Sequence, residues 1–250
     1  MVIANPKGNY SFVKGISPYS AGVVAAHGFA IEHARLLPAP PLRPGFAAVD
    51  RHLKSLGRPS QALCGMELRS PRPFTFQGFA DFNAGYVDLL KNRDILHDGL
   101  NPVARTNVAP EVNPPHEPLL YGFSYTVPSE QSGITFVVAG GGELPEGSLD
   151  PHDVVRRGEK SASALREKAL FVLGLMEGRL RELGADWGDV TTTDIYTVHD
   201  IHPLIEREIL PKLGAAARGG LTWHFSRPPI VSIEYEMDLR GCRREIVIGS

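Results

Sequence analysis

The sequence predicts an α+β fold that repeats one module twice, in residues 1–127 and 128–250. The first supporting observation is that 21 prolines and 26 glycines, which interrupt regular structure, cluster at 36–45, 110–118 and 140–151. The second is that the elements between these clusters follow the order strand–strand–helix–strand–helix–strand–strand, and this order occurs twice. Each module is therefore expected to pack its helices on one face of a mostly antiparallel sheet.

Apolar periodicity defines the elements of the first half. Residues 45–57 predict a short helix, because Phe46, Val49 and Leu53 recur at three- and four-residue steps and Gly57 follows them. The other elements predicted for this half are a strand pair at 22–36, a strand at 62–70, a helix at 81–94 and strands at 103–110 and 119–128.

A long helix, predicted within 153–183, dominates the second half. Its apolar residues form one stripe at helical spacing, and these residues are Leu165, Ala169, Val172, Met176, Leu180 and Leu183. Gly184 suits the position that follows a helix end. The other elements predicted here are strands at 133–140 and 190–198, an amphipathic helix at 201–214 and strands at 221–225, 231–239 and 244–248.

The composition excludes several classes of function. The net charge is −2, so no general basic surface attracts nucleic acid or anionic lipid. Cys64 and Cys242 form no CxxC motif, which argues against a disulfide framework or a structural zinc site. No apolar run approaches the ~18 residues of a membrane span, and the first residues lack the apolar core of a signal peptide. We therefore expect a cytoplasmic protein without nucleic-acid or membrane partners.

Three motifs in the first half resemble successive parts of a Rid (YjgF-type) module. The stretch ISPYSAGVV (16–24) is similar to the Gly-Pro-Tyr-Ser start of that family. DFNAGY (81–86) resembles its Asp-Phe-x-x-Asn-x-x-Tyr helix, shortened by two residues. PVARTNV (102–108) resembles its Pro-Ala-Arg-Ser strand, with one residue inserted.

The second half carries three further motifs of the same family. LRELGADWGDVTTTDIYTVHDI (180–201) resembles its helix, Gly-Ala and Asp-Val, followed by a strand ending in Asp. GGELPEG (141–147) is similar to its Ser-Gly-Gln-x-Pro turn, and FSRPPIVSIEYEMDL (225–239) to its Arg-Leu-Pro turn and Glu-rich strand. The chain is therefore identified as a member of the Rid family. Its length resembles that of the two-module 2-amino-(chloro)muconate deaminases within the family.

The resemblance implies chorismate-mutase-like modules, which close a barrel in threes with ligand clefts between neighbours. Because each chain carries two modules, three chains would satisfy this closure, and a homotrimer is expected. The resemblance also implies cofactor-independent hydrolysis of a carboxylate-bearing enamine or imine, such as a 2-aminomuconate-type dicarboxylate, to a keto acid and ammonia. The alternative is a non-catalytic protein that binds a small carboxylate in the same cleft.

Such a reaction needs a cation that holds the substrate carboxylate. Arginine suits this role because its planar guanidinium bonds a carboxylate at two points and stays charged. Arg105, in VARTNV, is the candidate in the first half, and its alternative role is a surface arginine paired with an acid. Arg218, in AARGGLT, is the candidate in the second half, although it lies two residues too early for a gap-free match to the family.

The reaction also needs a group that handles protons and water. A partly desolvated glutamate suits this role because burial raises its pKa towards the working pH. Glu234 matches the family's glutamate after the Arg-x-Pro turn with one residue deleted, and Glu236 on the same strand face is the second choice. The first half lacks such a glutamate, and the second half lacks a counterpart of Tyr19. Either one type of cleft is silent, or a composite site combines Tyr19 and Arg105 with Glu234.

Three more residues complete the candidate substrate site. Gly142 and Glu143 lie in the turn that resembles the family's Ser-Gly-Gln-x-Pro segment, where glycines leave backbone N–H groups free to approach a ligand. His224 lies on a strand expected to line the cleft and is a candidate proton carrier. No HxxxH or HExxH motif is present, so a metal site is not expected.

Overall fold

The computed structural model describes residues 1–249, which form thirteen strands, three long helices and a broken helical segment. The long helices are α1 (Leu42–Ser55), α2 (Phe76–Lys91) and α3 (Ala162–Leu183). The strands are β1 (Val2–Asn5), β2 (Tyr10–Val13), β3 (Gly22–Ala25), β4 (Phe29–Leu36), β5 (Leu63–Arg69), β6 (Ala104–Pro110), β7 (Leu119–Pro128), β8 (Phe136–Gly142), β9 (Thr192–Tyr196), β10 (Thr222–His224), β11 (Ser226–Arg227), β12 (Glu236–Gly241) and β13 (Glu245–Ile248). Within these residues, no helix combines the length and apolarity that a bilayer crossing requires.

A seven-stranded sheet joins the beginning of the chain to its second half. Its strand order is β1-β2-β3-β8-β12-β9-β10. Neighbouring strands are antiparallel except β9 and β10, which are parallel. The first three strands of the chain thus extend a sheet whose other members follow residue 135.

A six-stranded sheet also combines both halves, but here strands of the second half join a sheet of the first half. Its order is β11-β6-β5-β7-β4-β13, with parallel pairs at β5/β6 and β4/β13 and antiparallel pairs elsewhere. The last strand of the chain pairs with β4, where Glu245 lies opposite His33. Two strands from the second half therefore form the edges of a sheet whose centre comes from the first half.

The predicted fold class, a tandem repeat of two chorismate-mutase-like modules, is wrong. The strand pairing overturns it, because both sheets are mixed and each takes strands from both halves of the chain. The prediction rested on the order of elements along the chain, and that order does not fix which distant strands pair. The expected homotrimer loses its basis in the repeat, and the boundary between 1–127 and 128–250 stays a prediction.

The helices cover the outer faces of the two sheets, whose inner faces meet. Buried residues of α3 pack on the seven-stranded sheet, and those of α1 and α2 pack on the six-stranded sheet. An apolar cluster between the sheets draws on both, through Tyr10, Phe12, Val23, Ile31, Cys64, Ala104, Val137 and Ala139. Alternating side chains thus give each strand one face for a helix and one for the opposite sheet.

The helix predicted over 153–183 begins later, at Ala162. Ser161 caps it, since its hydroxyl accepts a hydrogen bond from the backbone N–H of Ala164 at 3.2 Å. Gly158, with φ of 78°, interrupts the chain just before this cap. Gly184 ends the helix with φ of 77°, as the sequence predicts.

The amphipathic helix predicted over 201–214 is broken into short pieces. His202–Leu204 and Leu210–Leu213 are α-helical, and Ile205–Ile209 between them is a π-helix. Pro211 lies in the first turn of the last piece, where its lack of an N–H group is tolerated, but it cannot continue a regular hydrogen-bond ladder from the preceding turn. The segment still buries Leu204, Ile209 and Leu213 against α3.

Candidate active site

A cleft of about 630 Å³, part of it open to solvent, lies where β6, β8 and β12 approach α2, α3 and the segment 144–149. Its charged lining residues, among those described, are Arg105, Arg179, Glu146 and Glu236. Most of the remaining wall is apolar, with Tyr19 among the polar exceptions. Both halves of the chain contribute, so the fold brings together groups that lie more than a hundred residues apart.

Arg105, on β6, lies at the base of this cleft and is only 2% exposed. None of its three side-chain nitrogens has a hydrogen-bond partner within residues 1–249. Its guanidinium carbon lies 4.6 Å from the ring centre of Tyr86 and 4.8 Å from that of Tyr19, with Phe79 and Phe82 at 5.6 and 5.9 Å. Four aromatic rings thus surround the cation without satisfying its donors.

This environment leaves the charge of Arg105 uncompensated by hydrogen-bond acceptors of the described residues. Burial lowers its pKa, yet a guanidinium stays protonated in proteins. A buried ion without full compensation costs several kcal/mol, and a desolvated cation–π contact recovers only about 2 kcal/mol. A ligand carboxylate would supply acceptors for two of the N–H groups at once.

Glu236, on β12, supplies a carboxyl group with altered acidity. It is 4% exposed, and burial raises its pKa well above the ordinary value. The charge of Asp238 adds to this effect, whereas Arg179 and Arg105 oppose it. Burial and the charge of Asp238 thus favour the protonated form of this carboxyl group, which suits proton donation in the cleft.

Three consecutive glycines at the end of β8 leave room for these side chains. A Cβ atom on Gly140 would lie 2.2 Å from Oε1 of Glu236, and one on Gly141 would lie 3.1 Å from Nη1 of Arg179. A Cβ on Gly142 would meet the side chain of Ile233 at 2.5 Å. The bare backbone therefore allows the acid and the second arginine to approach the same strand closely.

Arg179, on α3, places a second guanidinium in the wall of the cleft. Its Nη1 donates to the backbone carbonyls of Ala139 and Gly140 at 2.8 and 3.4 Å. Its Nε and Nη2 donate to the two carboxylate oxygens of Glu146 at 3.0 and 3.1 Å. Unlike Arg105, this arginine is fully engaged.

Three of the residues predicted from the sequence line the cleft, namely Arg105, Tyr19 and Gly142. Burial raises the pKa of the Tyr19 hydroxyl, while Arg105 lowers it. Glu234 lies outside the cleft lining, where Nε2 of His199 lies 2.7 Å from one carboxylate oxygen and Nζ of Lys160 lies 3.3 Å from the other. The cleft thus receives Glu236, the second choice from the sequence, in place of Glu234.

Glu143, which the sequence predicts to bind substrate, also lies outside the cleft lining and contacts the backbone of Glu234. It is fully buried, accepts a hydrogen bond from Nζ of Lys168 at 3.0 Å, and also accepts the backbone N–H groups of Glu234 and Tyr235 at 2.7 and 3.0 Å. These contacts replace strand pairing there, so β12 begins only at Glu236 rather than at 231. Burial raises the pKa of Glu143, and Lys168 lowers it.

The other two predicted residues also lie away from the cleft. Nε2 of His224 lies 2.9 Å from a carboxylate oxygen of Asp194, and its ring stacks on Tyr196 with centroids 4.7 Å apart. Arg218 is exposed on the 3₁₀ turn Gly214–Gly219. The functional roles assigned to both residues from the sequence stay predictions.

The sequence interpretation missed Arg179, although a signal for it was present. Arg179 lies three residues after Met176 and one before Leu180, within the apolar stripe of α3. A charged residue at a buried position of a helix needs a specific partner, so it marks a candidate site. Asn107, which also lines the cleft, was missed, and its Nδ2 has no hydrogen-bond partner in the described residues.

Behind the cleft, a network of buried ions connects the two sheets. Arg240 of β12 contacts Glu67 of β5 at 2.5 Å, Asp194 of β9 at 3.1 Å and Asp238 at 3.6 Å. Thr106 and Tyr196 both donate hydrogen bonds to Asp238. A small cavity of about 220 Å³ borders this network and also Arg105. No group of three or more His, Cys, Asp or Glu side chains within residues 1–249 is arranged as a metal site.

Comparison with known proteins shows to which family the chain belongs. The sequence model of the 2-aminomuconate deaminase CnbZ family matches residues 2–246. The chain is 44% identical over 250 residues to a 2-amino-5-chloromuconate deaminase of Comamonas testosteroni, and the match covers 99% of this chain and 98% of that protein. This agrees with the subgroup that the length of the chain resembles, whereas membership of the wider Rid family stays a prediction.

Similarities to solved structures are distant. A chorismatase is 12% identical with a TM-score of 0.45, over 95% of this chain and 78% of that one. A cyanuric acid hydrolase is 10% identical with a TM-score of 0.42, over 86% of this chain and 67% of that one. The strand pairing of this chain itself defines its fold.

Proposed function

The chain belongs to the 2-aminomuconate deaminase family, and from this premise we propose that it hydrolyses a 2-aminomuconate-type dicarboxylate to a keto acid and ammonia. One observation carries the proposal: a buried guanidinium without hydrogen-bond partners within residues 1–249, that of Arg105, lines the same cleft as the buried carboxyl group of Glu236, whose pKa burial raises. The first group suits the substrate carboxylate and the second suits proton transfer.

The reaction needs only proton transfers and water. A proton moves from the amino group to the enamine chain, so that the C=C–NH₂ unit becomes an imine with an electrophilic carbon. Water adds to that carbon, and a proton reaches the nitrogen. The C–N bond then breaks with its electrons on nitrogen, ammonia leaves, and the carbon becomes a ketone. Substrate and water thus give keto acid and ammonia, with no change in total oxidation state.

In this proposal Arg105 holds the carboxylate next to the amine-bearing carbon. Its charge withdraws electrons from that carbon and favours attack by water. Glu236 donates its proton to the substrate, and the carboxylate so formed accepts a proton from the attacking water. The aromatic rings of Tyr19 and Tyr86 limit water around the guanidinium, which strengthens its bond to the carboxylate.

The experiment measures ammonia release from freshly generated 2-aminomuconate. Glu236→Gln keeps the shape of the side chain but loses the titrating proton, and kcat is expected to fall by roughly 10²- to 10⁴-fold. Arg105→Lys keeps the charge but loses the two-point geometry, and kcat/KM is expected to fall by roughly ten- to a hundred-fold. Glu234→Gln, two residues from Glu236 but outside the cleft, is the matched control and should retain its rate.

The results of these measurements distinguish a catalytic role of Glu236 from one of Glu234 and from a protein without catalytic activity. Loss of activity in Glu234→Gln with full activity in Glu236→Gln would restore the role assigned to Glu234 from the sequence and refute ours. Tight binding of the substrate by the unmodified chain without any ammonia release would instead support the non-catalytic alternative.

A further inference from the structure

The backbone fixes Arg179 in the wall of the cleft independently of its acidic partner. The arginine is 6% exposed, and its Nη1 donates to the carbonyls of Ala139 and Gly140. Gly141 leaves the space that this close approach to β8 requires, since a Cβ there would lie 3.1 Å from Nη1. Two donors, Nε and Nη2, remain directed away from the strand, and Glu146 accepts from both.

Glu146 differs from Arg179 in how firmly it is held. Its side chain is 43% exposed, against 8% for the side chain of Arg179. It lies in a turn whose own backbone contacts are local, from Leu144 N–H to Gly142 and from Ser148 N–H to Pro145. Gly147 follows with φ of 80°. Moving the Glu146 side chain into solvent therefore disturbs no buried packing, whereas moving Arg179 would.

The charges of the residues that line the cleft favour a movement of the Glu146 side chain into solvent when a dicarboxylate binds. With Glu146 paired to Arg179, Arg105 is the guanidinium of the cleft whose donors have no acceptor within residues 1–249, and it matches one carboxylate. If Glu146 leaves, two guanidinium groups match two carboxylates. Arg105 and Arg179 both lower the pKa of Tyr19 and that of Glu236, so the two cations share one electrostatic environment.

We propose that Arg179 binds the second carboxylate of a dicarboxylate ligand, and that Glu146 occupies this position in the ligand-free protein. Exchange of one carboxylate for another on Nε and Nη2 preserves both charged hydrogen bonds. Arg179 is thus a specificity-determining residue that favours dicarboxylates over monocarboxylates. This inference rests on the proposed function for its substrate class.

The test uses two ligands that carry no amino group and cannot react. Muconate (hexa-2,4-dienedioate) and sorbate (hexa-2,4-dienoate) share a carbon chain and differ by one carboxylate. Calorimetric titration of the full chain is expected to show muconate binding at least about tenfold more tightly than sorbate, since a charged two-point contact is gained.

Three variants then test which residues give the preference for muconate over sorbate. Arg179→Gln should remove most of the preference for muconate while changing sorbate affinity little. Glu146→Gln should tighten muconate binding by roughly two- to fivefold, because it removes a half-exposed competitor for Arg179, and should leave sorbate binding unchanged. Glu177→Gln is the matched control, since this acid lies on the same helix and pairs with Lys212 at the surface, and neither affinity should change.

Opposite results would overturn the inference. It is wrong if Glu146→Gln weakens muconate binding or leaves it unchanged, or if Arg179→Gln weakens both ligands equally. Because neither ligand contains a C–N bond, these results do not depend on catalysis. The expected binding pattern without ammonia release from 2-aminomuconate would refute only the proposed function. Ammonia release without the Glu146 effect would refute only the role of Arg179.

Discussion

The cleft and the ion network behind it each contain a buried arginine, and the two arginines have opposite surroundings. Arg105 has four aromatic rings around it and no hydrogen-bond acceptor within the described residues. Arg240 contacts Glu67, Asp194 and Asp238 between the sheets. Burial lowers the pKa of Arg105. Burial acts in the same direction on Arg240, but Glu67, Asp238 and Asp194 raise its pKa well above the ordinary value.

The difference lies in where the counterion comes from. At Arg240 the chain supplies the carboxylates, so the cation holds strands of both sheets together and leaves no donor for a ligand. At Arg105 no carboxylate of the described residues lies within hydrogen-bond distance, so its donors stay available to a ligand. A buried arginine that the protein leaves uncompensated therefore indicates a binding site.

The largest effect is expected from Arg240→Met. This change leaves Glu67, Asp194 and Asp238 buried beside one another without their shared cation, and the free energy of unfolding should fall by ~3–5 kcal/mol. Denaturant titration at neutral pH measures it. Arg244→Met is the matched control, because Arg244 pairs with Glu32 at the surface with its own side chain 64% exposed, and a loss below about 1 kcal/mol is expected. Equal losses in both variants would contradict the proposed role of the network.

A smaller effect of opposite sign is expected from Arg105→Met. Removing an uncompensated buried charge while keeping an apolar side chain of similar length should leave the free energy of unfolding unchanged or raise it by about 1–2 kcal/mol. The same variant should lose at least ~10- to 100-fold in kcat/KM for ammonia release. If Arg105→Met destabilised the protein as much as Arg240→Met, Arg105 would be a structural residue and the comparison would fail.

The sequence predicted most local elements but could not predict their partners. The strands at 103–110 and 119–128 match β6 and β7 closely, because β-branched and aromatic residues in short runs are a local signal. The exchange of strands between the halves depends on contacts such as Gly22 with Val138 and Glu245 with His33, which no local pattern encodes. The strands β1 and β2, of four residues each, were missed.

The site was partly predictable for the same reason. Arg105 and Tyr19 were found through motif resemblance, and both line the cleft. The choice between Glu234 and Glu236 depended on where β12 begins. That start is set by the buried carboxylate of Glu143, which captures the backbone N–H groups of Glu234 and Tyr235 from 91 and 92 residues away. Such long-range hydrogen bonds are not encoded in the local pattern of the strand, which presents both glutamates on one face.

The smallest effect is on how stability changes per unit of pH. It distinguishes Glu67 in the ion network from Glu236 in the cleft. Burial alone would raise the pKa of Glu67, but Arg240, His33 and Arg69 lower it to about 2. In Glu236, burial and the charge of Asp238 raise the pKa, and Arg179 and Arg105 only partly oppose them. The two carboxyl groups therefore contribute to stability in different pH ranges and with opposite slopes.

The signs follow from which state binds more protons. Below the ordinary glutamate pKa the unfolded chain protonates its Glu67 while the folded chain does not, so stability that is present above about pH 4.3 is lost as the pH falls towards 2. Above about pH 4.3 the folded chain keeps the proton of Glu236 while the unfolded chain releases it, so stability falls as the pH rises. Each slope is limited to ~1.4 kcal/mol per pH unit for one group.

Unfolding curves of Glu67→Gln and Glu236→Gln measure the two slopes. They are recorded from about pH 2.5 to about pH 8, a range that covers both ionisations. Glu67→Gln should flatten the acid side of the stability profile and leave the neutral side unchanged. Glu236→Gln should flatten the decline towards neutral pH and leave the acid side unchanged. If Glu236→Gln instead flattened only the acid side, Glu236 would be ionised in the folded protein. It would then resemble Glu67, a partner of buried cations, and the cleft would lack the proton donor that the proposed reaction requires.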